Sequence, residues 1–333
     1  MKKCLACYEP LKAQSIQEFH EKCSKKIFGK PKAPELVYRF EEINELAKRI
    51  IQNRLAIPGV QPKLSLSLVI DPANQTNTPR ERLTIVGLWD GTYVLKPPNK
   101  AHPELPENED LTMHLAEACG IKTAVHSLIR FSSGEIAYIA KRFDRLTKRR
   151  KVEKLHQEDM CQLAGLLTEN KYNSSMEKVA KITAQFTTNK GLEAVALFQI
   201  TVFSFLTGNS DMHLKNFSLL KTVDGSVEMT PSYDLLATQL VMPEDKEQIA
   251  LTLNGKKNRL TRKDFDLFAK SCGLAVRATE NVFADFEKRL PVIAAWVNKS
   301  FLSDEMKGAY INLVAERAKI LQLKIPDGYL NEK

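Results

Sequence analysis

The sequence contains no run of roughly 18 uninterrupted apolar residues, the length that a membrane-spanning helix needs. Its most apolar stretch, Ala194 to Leu206, is interrupted by Gln199, Thr201 and Ser204 and is too short to cross a bilayer. We therefore expect this stretch to form a buried helix. The first residues carry two lysines with no long apolar segment after them, which predicts that the chain has no secretory signal and is cytoplasmic.

Cysteine is sparse as well. Six cysteines in 333 residues do not suggest a disulfide scaffold. The hydrophobic fraction of 43% and the charged fraction of 27% are ordinary for a globular chain, and they exclude a disordered or collagen-like protein. At roughly 150 residues per domain, a chain of this length is expected to form about two domains.

Acidic residues are in the minority, with 40 Asp and Glu against 49 Lys and Arg, a formal net charge of +9. The excess is concentrated in two segments. Residues 1–63 carry 13 basic against 7 acidic residues, and residues 141–154 carry 8 against 2. Two basic segments indicate either an acidic partner, such as nucleic acid, phosphate or an acidic protein face, or simply a solvated cationic surface.

Four residues near the amino terminus have the spacing of metal ligands. The pattern is C-x2-C-x12-H-x2-C, formed by Cys4, Cys7, His20 and Cys23. Two such pairs can make a closed tetrahedral Zn²⁺ site, which would fix a segment that has little apolar content. The alternative is a set of scattered thiols with a surface histidine. The remaining cysteines lie in apolar helical contexts and are predicted to be core residues.

The first half of the chain is predicted to be rich in strands. Alternating apolar and polar residues predict a strand over residues 64–70. Asp90-Gly91 has the composition of a tight turn and predicts a hairpin between strands at 83–89 and 92–96. The other elements predicted in this half are helices at 41–54 and 104–119 and strands at 125–130 and 135–140, around Ser132-Ser133-Gly134.

Beyond residue 155 the pattern becomes helical. Helices are predicted at 157–168, 174–187 and 191–207 and over most of 263–324, with short strands at 217–220 and 227–229. A strand-rich front half and a helical back half predict an α+β architecture with two lobes. We expect the boundary near residues 141–144.

The stretch from Gly208 to Phe217 carries the most informative chemistry. It follows the predicted buried helix and precedes a short strand, so it is a loop held by rigid elements. Asp211 and Asn216 have the spacing D-x4-N, and Asp234 follows 18 residues after Asn216. Phosphoryl transfer needs a carboxylate near the attacking hydroxyl, hard oxygen ligands for Mg²⁺ and a cation on the nucleotide phosphates. These three residues, with Lys96 at a strand end, could supply those groups.

Seven segments resemble, in chain order, the HipA family of bacterial toxin kinases. They are Pro58 to Lys63, Leu95-Lys96-Pro97, Glu107-Asn108-Glu109, Ala140 to Arg145, Gln157-Glu158-Asp159, Gly208 to Phe217 and Tyr233-Asp234-Leu235. The resemblance implies a two-lobed protein-kinase-like fold, with a small sheet-rich N-lobe and a larger helical C-lobe. On this basis we expect an N-lobe with the Gly/Pro nucleotide loop (31–143) and a C-lobe with the catalytic loop (144–333). The Cys/His cluster is not part of the family pattern, and it would make residues 1–30 a separate segment that could bind zinc.

The resemblance also implies an activity and partners. The chain would be an ATP-dependent serine/threonine kinase, using Mg²⁺, and the toxin of a type II toxin–antitoxin system. Its substrate would be a translation component such as an aminoacyl-tRNA synthetase. Its partner would be a HipB-like DNA-binding antitoxin, so that DNA is contacted only indirectly, and no membrane is involved.

In the N-lobe, the resemblance assigns residues to the nucleotide. The loop that covers the nucleotide would be Pro58, Gly59, Val60, Gln61 and Lys63. Lys96 would bind the phosphates, and Lys141 and Phe143 would line the adenine hinge, mainly through backbone groups. Glu109 is the expected partner of Lys96, because it shares a helical face with Met113 and Ala116, and Glu107 is the competing choice.

In the C-lobe, Asp211 would be the catalytic aspartate. His213 and Asn216 would lie near the phosphates and the metal. Asp234, preceded by Tyr233, would be the second Mg²⁺ ligand.

Two features depart from the family pattern. Only about 55 residues precede the kinase core, so the chain looks more like HipT, the short kinase of HipBST systems, in which a separate small protein, HipS, supplies the missing subdomain. The family is also often silenced by autophosphorylation of a serine before the glycine of the loop. The aligned positions here are Ala56 and Pro58, which have no hydroxyl. Either the chain lacks this switch or Ala56 is an engineered replacement.

Three other functions fit parts of the sequence. A small-molecule phosphotransferase would use the same chemistry. A nucleic-acid-binding module could be built on the zinc site and the basic segments, although we find no recognition helix or stacking aromatic pattern. A metallohydrolase could use Asp211, His213 and Asp234 without ATP.

Overall fold

Five strands of the front half form one antiparallel sheet. The computed structural model describes residues 2–43, 45, 63–70, 81–87, 91–148 and 151–329. The strands are β1 (Leu64–Ile70), β2 (Glu81–Gly87), β3 (Tyr93–Lys96), β4 (His126–Arg130) and β5 (Ile136–Lys141), in the order β2-β1-β3-β5-β4. Leu64 and Leu66 of β1 are buried, and the strand predicted at 64–70 is confirmed.

The hairpin predicted at Asp90-Gly91 is wrong. In the described part of the sheet, β2 and β3 both pair with β1, which lies between them. A Cβ atom on Gly91 would lie 2.5 Å from the Leu66 carbonyl oxygen, and the Thr92 N–H donates to that same oxygen. Glycine is therefore needed here because two backbones approach closely.

The helices α1 (Glu21–Phe28) and α2 (Leu105–Ala118) lie in the same half of the described sequence. The helix predicted at 104–119 is confirmed, as are the strands predicted on either side of residues 132–134, which are β4 and β5 and pair with each other. The Phe28 ring of α1 lies 5.9 Å from the ring of Tyr93 in β3, so α1 packs beside the centre of the sheet. Of the helix predicted at 41–54, residues 41–43 and 45 are described, and they are helical.

Helices are the main regular elements in the rest of the described chain. They are α3 (Met160–Leu163), α4 (Met176–Phe186), α5 (Lys190–Leu206), α6 (Thr238–Val241), α7 (Arg262–Ser271), α8 (Val276–Lys299) and α9 (Asp304–Ile320). The helices predicted at 174–187 and 191–207 and in the tail are confirmed. Phe198 of α5 meets Phe283 of α8 edge-on at 5.6 Å, and Phe205 lies 4.9 Å from Phe265 of α7. This packing holds the carboxyl end of α5, where the D-x4-N loop begins.

A small sheet lies beside that loop. Its strands are β8 (Gln157–Asp159), β9 (Ser218–Lys221) and β10 (Val227–Met229), in the order β10-β9-β8. The helix predicted over 157–168 is wrong at both ends, because residues 157–159 pair with residues 218–220 and the helix that follows ends at Leu163. Asp159 then begins the short helix α3 as its N-cap, accepting the Gln162 N–H.

The basic segment 141–154 contains a hairpin that the sequence did not predict. Its strands are β6 (Arg145–Lys148) and β7 (Lys151–Lys154), and every residue of β7 is exposed. Lys151 and Lys154 of β7 thus present their side chains to solvent.

The chain divides into two compact units. The first, residues 1–110 with 124–142, contains the five-stranded sheet and α1; the second, residues 111–123 with 143–333, contains helices α3 to α9. None of the helices in the described residues has both the length and the apolar character needed to span a membrane.

Candidate active site

A buried lysine–glutamate pair lies in the sheet-rich unit. Lys96 is the last residue of β3, and Glu109 lies in α2; their side chains are 6% and 1% exposed. Lys96 Nζ lies 2.5 Å from Glu109 Oε1 and 5.4 Å from the centre of the Tyr138 ring. Opposite charges can be buried when they are paired, and the pair therefore fixes an ammonium group at the end of a central strand.

Glu107, the competing partner for Lys96, has a different environment. The pKa of its carboxyl is raised from 4.5 to about 7, mainly by burial and in part by the nearby carboxyls of Glu104 and Asp110. Glu107 therefore binds a proton more tightly in the folded chain than in the unfolded chain.

This shift predicts how stability changes with pH. Because the folded state holds the Glu107 proton more tightly, the contribution of this carboxyl to the free energy of unfolding falls as pH rises from about 4.5 to about 7, and is constant above. The variant Glu107→Gln should therefore be more stable than the parent by about 1–3 kcal/mol at about pH 8, and by much less at about pH 5. Urea unfolding at the two pH values measures this. An equal difference at both would contradict the shift.

The loop predicted to cover the nucleotide falls outside the described residues, so Pro58, Gly59, Val60 and Gln61 stay predictions, and Ala56 lies there too. Lys63 is described and exposed. It precedes Leu64, which pairs with Leu95. If the antiparallel pairing of β1 with β3 continues for one more residue, Lys63 lies opposite Lys96.

Two backbone N–H groups at the predicted hinge already form hydrogen bonds within the sheet-rich unit. The Lys141 N–H donates to the Val125 carbonyl at 2.7 Å, and the Arg142 N–H donates to the Thr92 carbonyl at 2.8 Å. A hinge contact by Lys141 would therefore use its carbonyl and not its N–H. Phe143 belongs to the helical unit, where its ring lies 5.7 Å from that of Tyr233.

The loop after α5 is anchored at its start. Gly208 has a φ of +67°, and a Cβ atom there would lie 2.6 Å from Leu313 Cδ2 and 3.1 Å from Gln239 Oε1. The positive φ therefore favours glycine, and a larger residue would also have to displace the side chains of Leu313 and Gln239. The Ser210 N–H donates to Thr238 Oγ1 at 2.7 Å, and the two hydroxyls are 2.9 Å apart. These contacts fix the backbone that leads into Asp211.

The two residues of the D-x4-N motif contact each other. Asn216 Nδ2 donates to the main-chain oxygen of Asp211 at 3.0 Å, and the Asp211 N–H donates to Asn209 Oδ1 at 3.2 Å. A 3₁₀ turn, Leu214–Asn216, brings the asparagine back to the aspartate. Because the amide nitrogen of Asn216 is engaged, its Oδ1 is the atom that could ligate a metal.

Tyr172 is a site residue that the sequence analysis missed. Its hydroxyl donates to Asp211 Oδ1 at 2.5 Å, and its ring meets that of His213 edge-on at 5.1 Å. Burial, followed by the bond to Asp211, raises the pKa of the Tyr172 phenol, which stays a donor at neutral pH. It lies in an irregular segment that no motif marks.

His213 and Asp234 are the other two candidate site residues of the helical unit. Burial lowers the pKa of the His213 ring, which is therefore neutral at pH 7, and among the described residues its Nδ1 has no hydrogen-bond partner. Asp234 adopts a φ of +56°, an unusual conformation that asparagine and aspartate tolerate better than most residues. The preceding Tyr233 is anchored by its hydroxyl, 2.5 Å from Ser218 Oγ and donating to the Lys215 carbonyl at 2.9 Å.

The structure also brings the predicted zinc ligands together. One ligand atom from each of Cys4, Cys7, His20 and Cys23 lies within 4.8 Å of all the others. Asp211, His213 and Asp234 form no such cluster in the described part of the chain, which argues against the metallohydrolase.

Comparison with known proteins identifies the family. The profile of the HipA-like C-terminal domain matches residues 55–294, and the chain belongs to that family. It is 28% identical over 284 residues to the protein Y4mE of Sinorhizobium fredii, covering 82% of this chain and 64% of that protein. It is also 28% identical over 287 residues to the serine/threonine-protein kinase toxin HipA of Shewanella oneidensis, covering 80% and 63%. This chain thus spans about two thirds of the length of these relatives.

Two solved structures share the fold. One is the complex of Shewanella oneidensis HipA with HipB and its operator DNA, matched with a TM-score of 0.67 at 21% identity over 87% of this chain and 74% of that chain. The other is the Helicobacter pylori proinflammatory kinase CtkA, with a TM-score of 0.52 at 17% identity over 79% and 97%. The predicted fold class, with a sheet-rich and a helical part, is confirmed.

Proposed function

We propose that this chain is an ATP-dependent serine/threonine protein kinase of the HipA type. The observation that carries the proposal is the buried contact of 2.5 Å between Lys96 Nζ and Glu109 Oε1. Protein kinases use a strand lysine, held by a glutamate of a helix, to bind the α- and β-phosphates of ATP. We assign that role to Lys96, with Glu109 as the residue that positions it.

The chemistry of the second group of residues fits Mg²⁺. This ion prefers oxygen ligands and keeps several waters, so that one or two protein groups and the phosphates suffice. We assign Asn216 Oδ1 and the Asp234 carboxylate as its ligands, with His213 beside the phosphates. When bound, the ion would neutralise charge that develops on the phosphates.

Asp211 is the residue that we assign to the substrate hydroxyl. Its Oδ1 accepts the Tyr172 hydroxyl, so Oδ2 is the oxygen that would accept the hydrogen bond of a serine or threonine. A carboxylate in this position orients the nucleophile and takes up its proton as the phosphoryl group is transferred.

We further propose that the kinase is a cytoplasmic toxin held by an antitoxin. The HipA of Shewanella oneidensis was solved with HipB and operator DNA, and a HipB-like partner would give this chain an indirect contact with DNA. If it is of the short HipT form, a HipS-like protein would also bind it.

The exposed strand β7, with Lys151 and Lys154, favours an acidic macromolecular substrate, such as an aminoacyl-tRNA synthetase, over a small molecule. This charge pattern would guide association with an acidic surface. A small-molecule phosphotransferase is the second candidate, because it needs the same residues around the nucleotide.

A transfer assay tests the proposal. The full chain, ATP labelled at the γ-phosphate and Mg²⁺ are incubated with a bacterial extract, and label should appear in protein as phosphoserine or phosphothreonine. The variant Asp234→Asn should lower the labelling by about 10²-fold or more, because the negative charge of a metal ligand is lost while asparagine still tolerates the left-handed backbone. The matched control Asp224→Asn, at an exposed turn, should label normally. Label found only in small molecules would favour the second candidate, and equal labelling by Asp234→Asn would refute the assigned metal site.

A further inference from the structure

The four residues Cys4, Cys7, His20 and Cys23 have the geometry of a zinc site. In a tetrahedral site, ligand atoms about 2.0–2.3 Å from the metal lie about 3.5–3.8 Å apart. Cys7 Sγ lies 3.3 Å from His20 Nδ1, close to that separation, and all four ligand atoms lie within 4.8 Å of one another. None of these cysteines forms a disulfide.

The surroundings of the four residues also fit a bound metal. The His20 main-chain N–H points to Cys4 Sγ at 3.4 Å, a contact that stabilises a thiolate. His20 Nε2 lies 3.2 Å from the Pro10 carbonyl. Histidines that bind zinc through one nitrogen almost always donate from the other to a carbonyl or carboxylate, which fixes the ring. With Nδ1 facing Cys7 and Nε2 facing Pro10, the ring is oriented for this arrangement.

The segment around the cluster is joined to the edge of the five-stranded sheet. The Leu5 carbonyl accepts the Leu128 N–H at 3.2 Å and the Ser127 hydroxyl at 3.2 Å, both from β4. Glu18 Oε1 lies 2.6 Å from Arg130 Nε on the same strand. The cluster thus lies in a segment that covers an otherwise open sheet edge.

The same segment reaches the helix that carries Glu109. Tyr8, one residue after Cys7, has a φ of +64°, which is unfavourable for a tyrosine and needs support from its surroundings. Its buried hydroxyl donates to Asp110 Oδ2 at 2.6 Å, and Asp110 Oδ1 lies 2.6 Å from His126 Nδ1 of β4. Asp110 follows Glu109 directly in α2. Tyr8 therefore holds α2 one residue from the partner of Lys96.

From these contacts we propose that Cys4, Cys7, His20 and Cys23 bind one structural Zn²⁺, and that the metal-ordered segment positions helix α2 through the bond from Tyr8 to Asp110. The proposal of a Zn²⁺ site does not depend on the proposed kinase function. The positioning of α2 rests on that function, since it makes Tyr8 a positioning residue for the Lys96–Glu109 pair.

The metal site is tested on the full chain. Purification without added metal, followed by elemental analysis, should find about one Zn²⁺ per chain, the content of one closed site. Co²⁺ exchanged for Zn²⁺ should give the visible absorption and charge-transfer bands of thiolate ligands. Cys7→Ser should lose most of the metal, whereas the matched control Cys272→Ser should keep it. A parent chain without zinc and without the Co²⁺ spectrum would overturn the site, even if Cys7→Ser failed to fold.

The link to α2 is tested with Tyr8→Phe, which removes one hydroxyl and no metal ligand. This variant should keep its zinc, exchange the amide hydrogens of residues 105–118 faster than the parent and lower kcat several-fold. Tyr38→Phe, which removes a hydroxyl that contacts the Ile85 N–H, is the matched control and should change none of these. Unchanged exchange in α2 would overturn the positioning role. Exchange and metal content do not depend on catalysis, so failure of the kinase proposal would be recognised separately.

Discussion

The variant Asp211→Asn should fold normally and lose nearly all phosphoryl transfer. Asparagine has almost the same size and keeps an oxygen that can accept the Tyr172 hydroxyl, so the loop should stay in place. It cannot take up the proton of the attacking hydroxyl. General-base catalysis contributes about 10²–10⁴-fold, and we expect kcat to fall by that factor. Steady-state kinetics with a purified protein substrate measures kcat and KM separately.

The Asp211 prediction has two comparison variants. Tyr172→Phe removes the hydrogen bond to Asp211 Oδ1 without touching the carboxylate, and it should lower kcat only several-fold. Asp327→Asn, at an exposed site, should have no effect. If Asp211→Asn transferred phosphate at the parent rate while unfolding at the same temperature, Asp211 could not be the catalytic carboxylate.

The second large effect concerns the Lys96–Glu109 pair. Lys96→Met should leave the buried Glu109 carboxylate without its ammonium, at a cost of about 3–5 kcal/mol in the free energy of unfolding. Loss of the cation on the phosphates should also lower transfer by about 10²–10³-fold. Urea unfolding and the transfer assay measure the two effects on the same preparation. Lys221→Met, at the exposed end of β9, is the matched control and should behave like the parent.

A double variant separates stability from catalysis at this pair. Lys96→Met with Glu109→Leu removes both buried charges, and it should regain most of the stability lost by the single variant, because buried ion pairs can be replaced by apolar residues at little cost. Activity should stay low in the double variant. If activity returned together with stability, the pair would have only a structural role.

Much of the secondary structure could be predicted because it depends on local patterns. The alternation in Leu64–Ile70 predicts its strand, and the helical spacing in Lys190–Leu206 predicts its helix. Pairing between distant segments could not be predicted in this way. Asp90-Gly91 looks like a hairpin turn, but Gly91 is required by contact with Leu66 in β1. The start of the helix expected at residue 157 is a strand because β9 supplies its partner.

In the candidate site, too, the sequence predicted the residues that carry a local pattern and missed those brought together by tertiary packing. The partner of Lys96 could be chosen from the helical face of Glu109, and the D-x4-N spacing marked Asp211 and Asn216. Tyr172 carries no sequence signal, since only the folded chain brings it to Asp211. The contact from Tyr8 to Asp110 spans 102 residues of sequence and is equally invisible in the sequence. Contacts of this kind depend on tertiary packing, which local patterns do not encode.

The central proposal is that Lys96 binds the phosphates of ATP and that Asn216 and Asp234 hold the metal ion. A crystal structure of the full chain with a non-hydrolysable ATP analogue and Mn²⁺ in place of Mg²⁺ tests this most directly, because the anomalous signal locates the metal. The prediction is one Mn²⁺ on Asn216 Oδ1 and the Asp234 carboxylate, with the phosphates of the same nucleotide on Lys96 Nζ and Asp211 beside the γ-phosphate. A nucleotide bound without Lys96, or a metal held by other residues, would contradict the account.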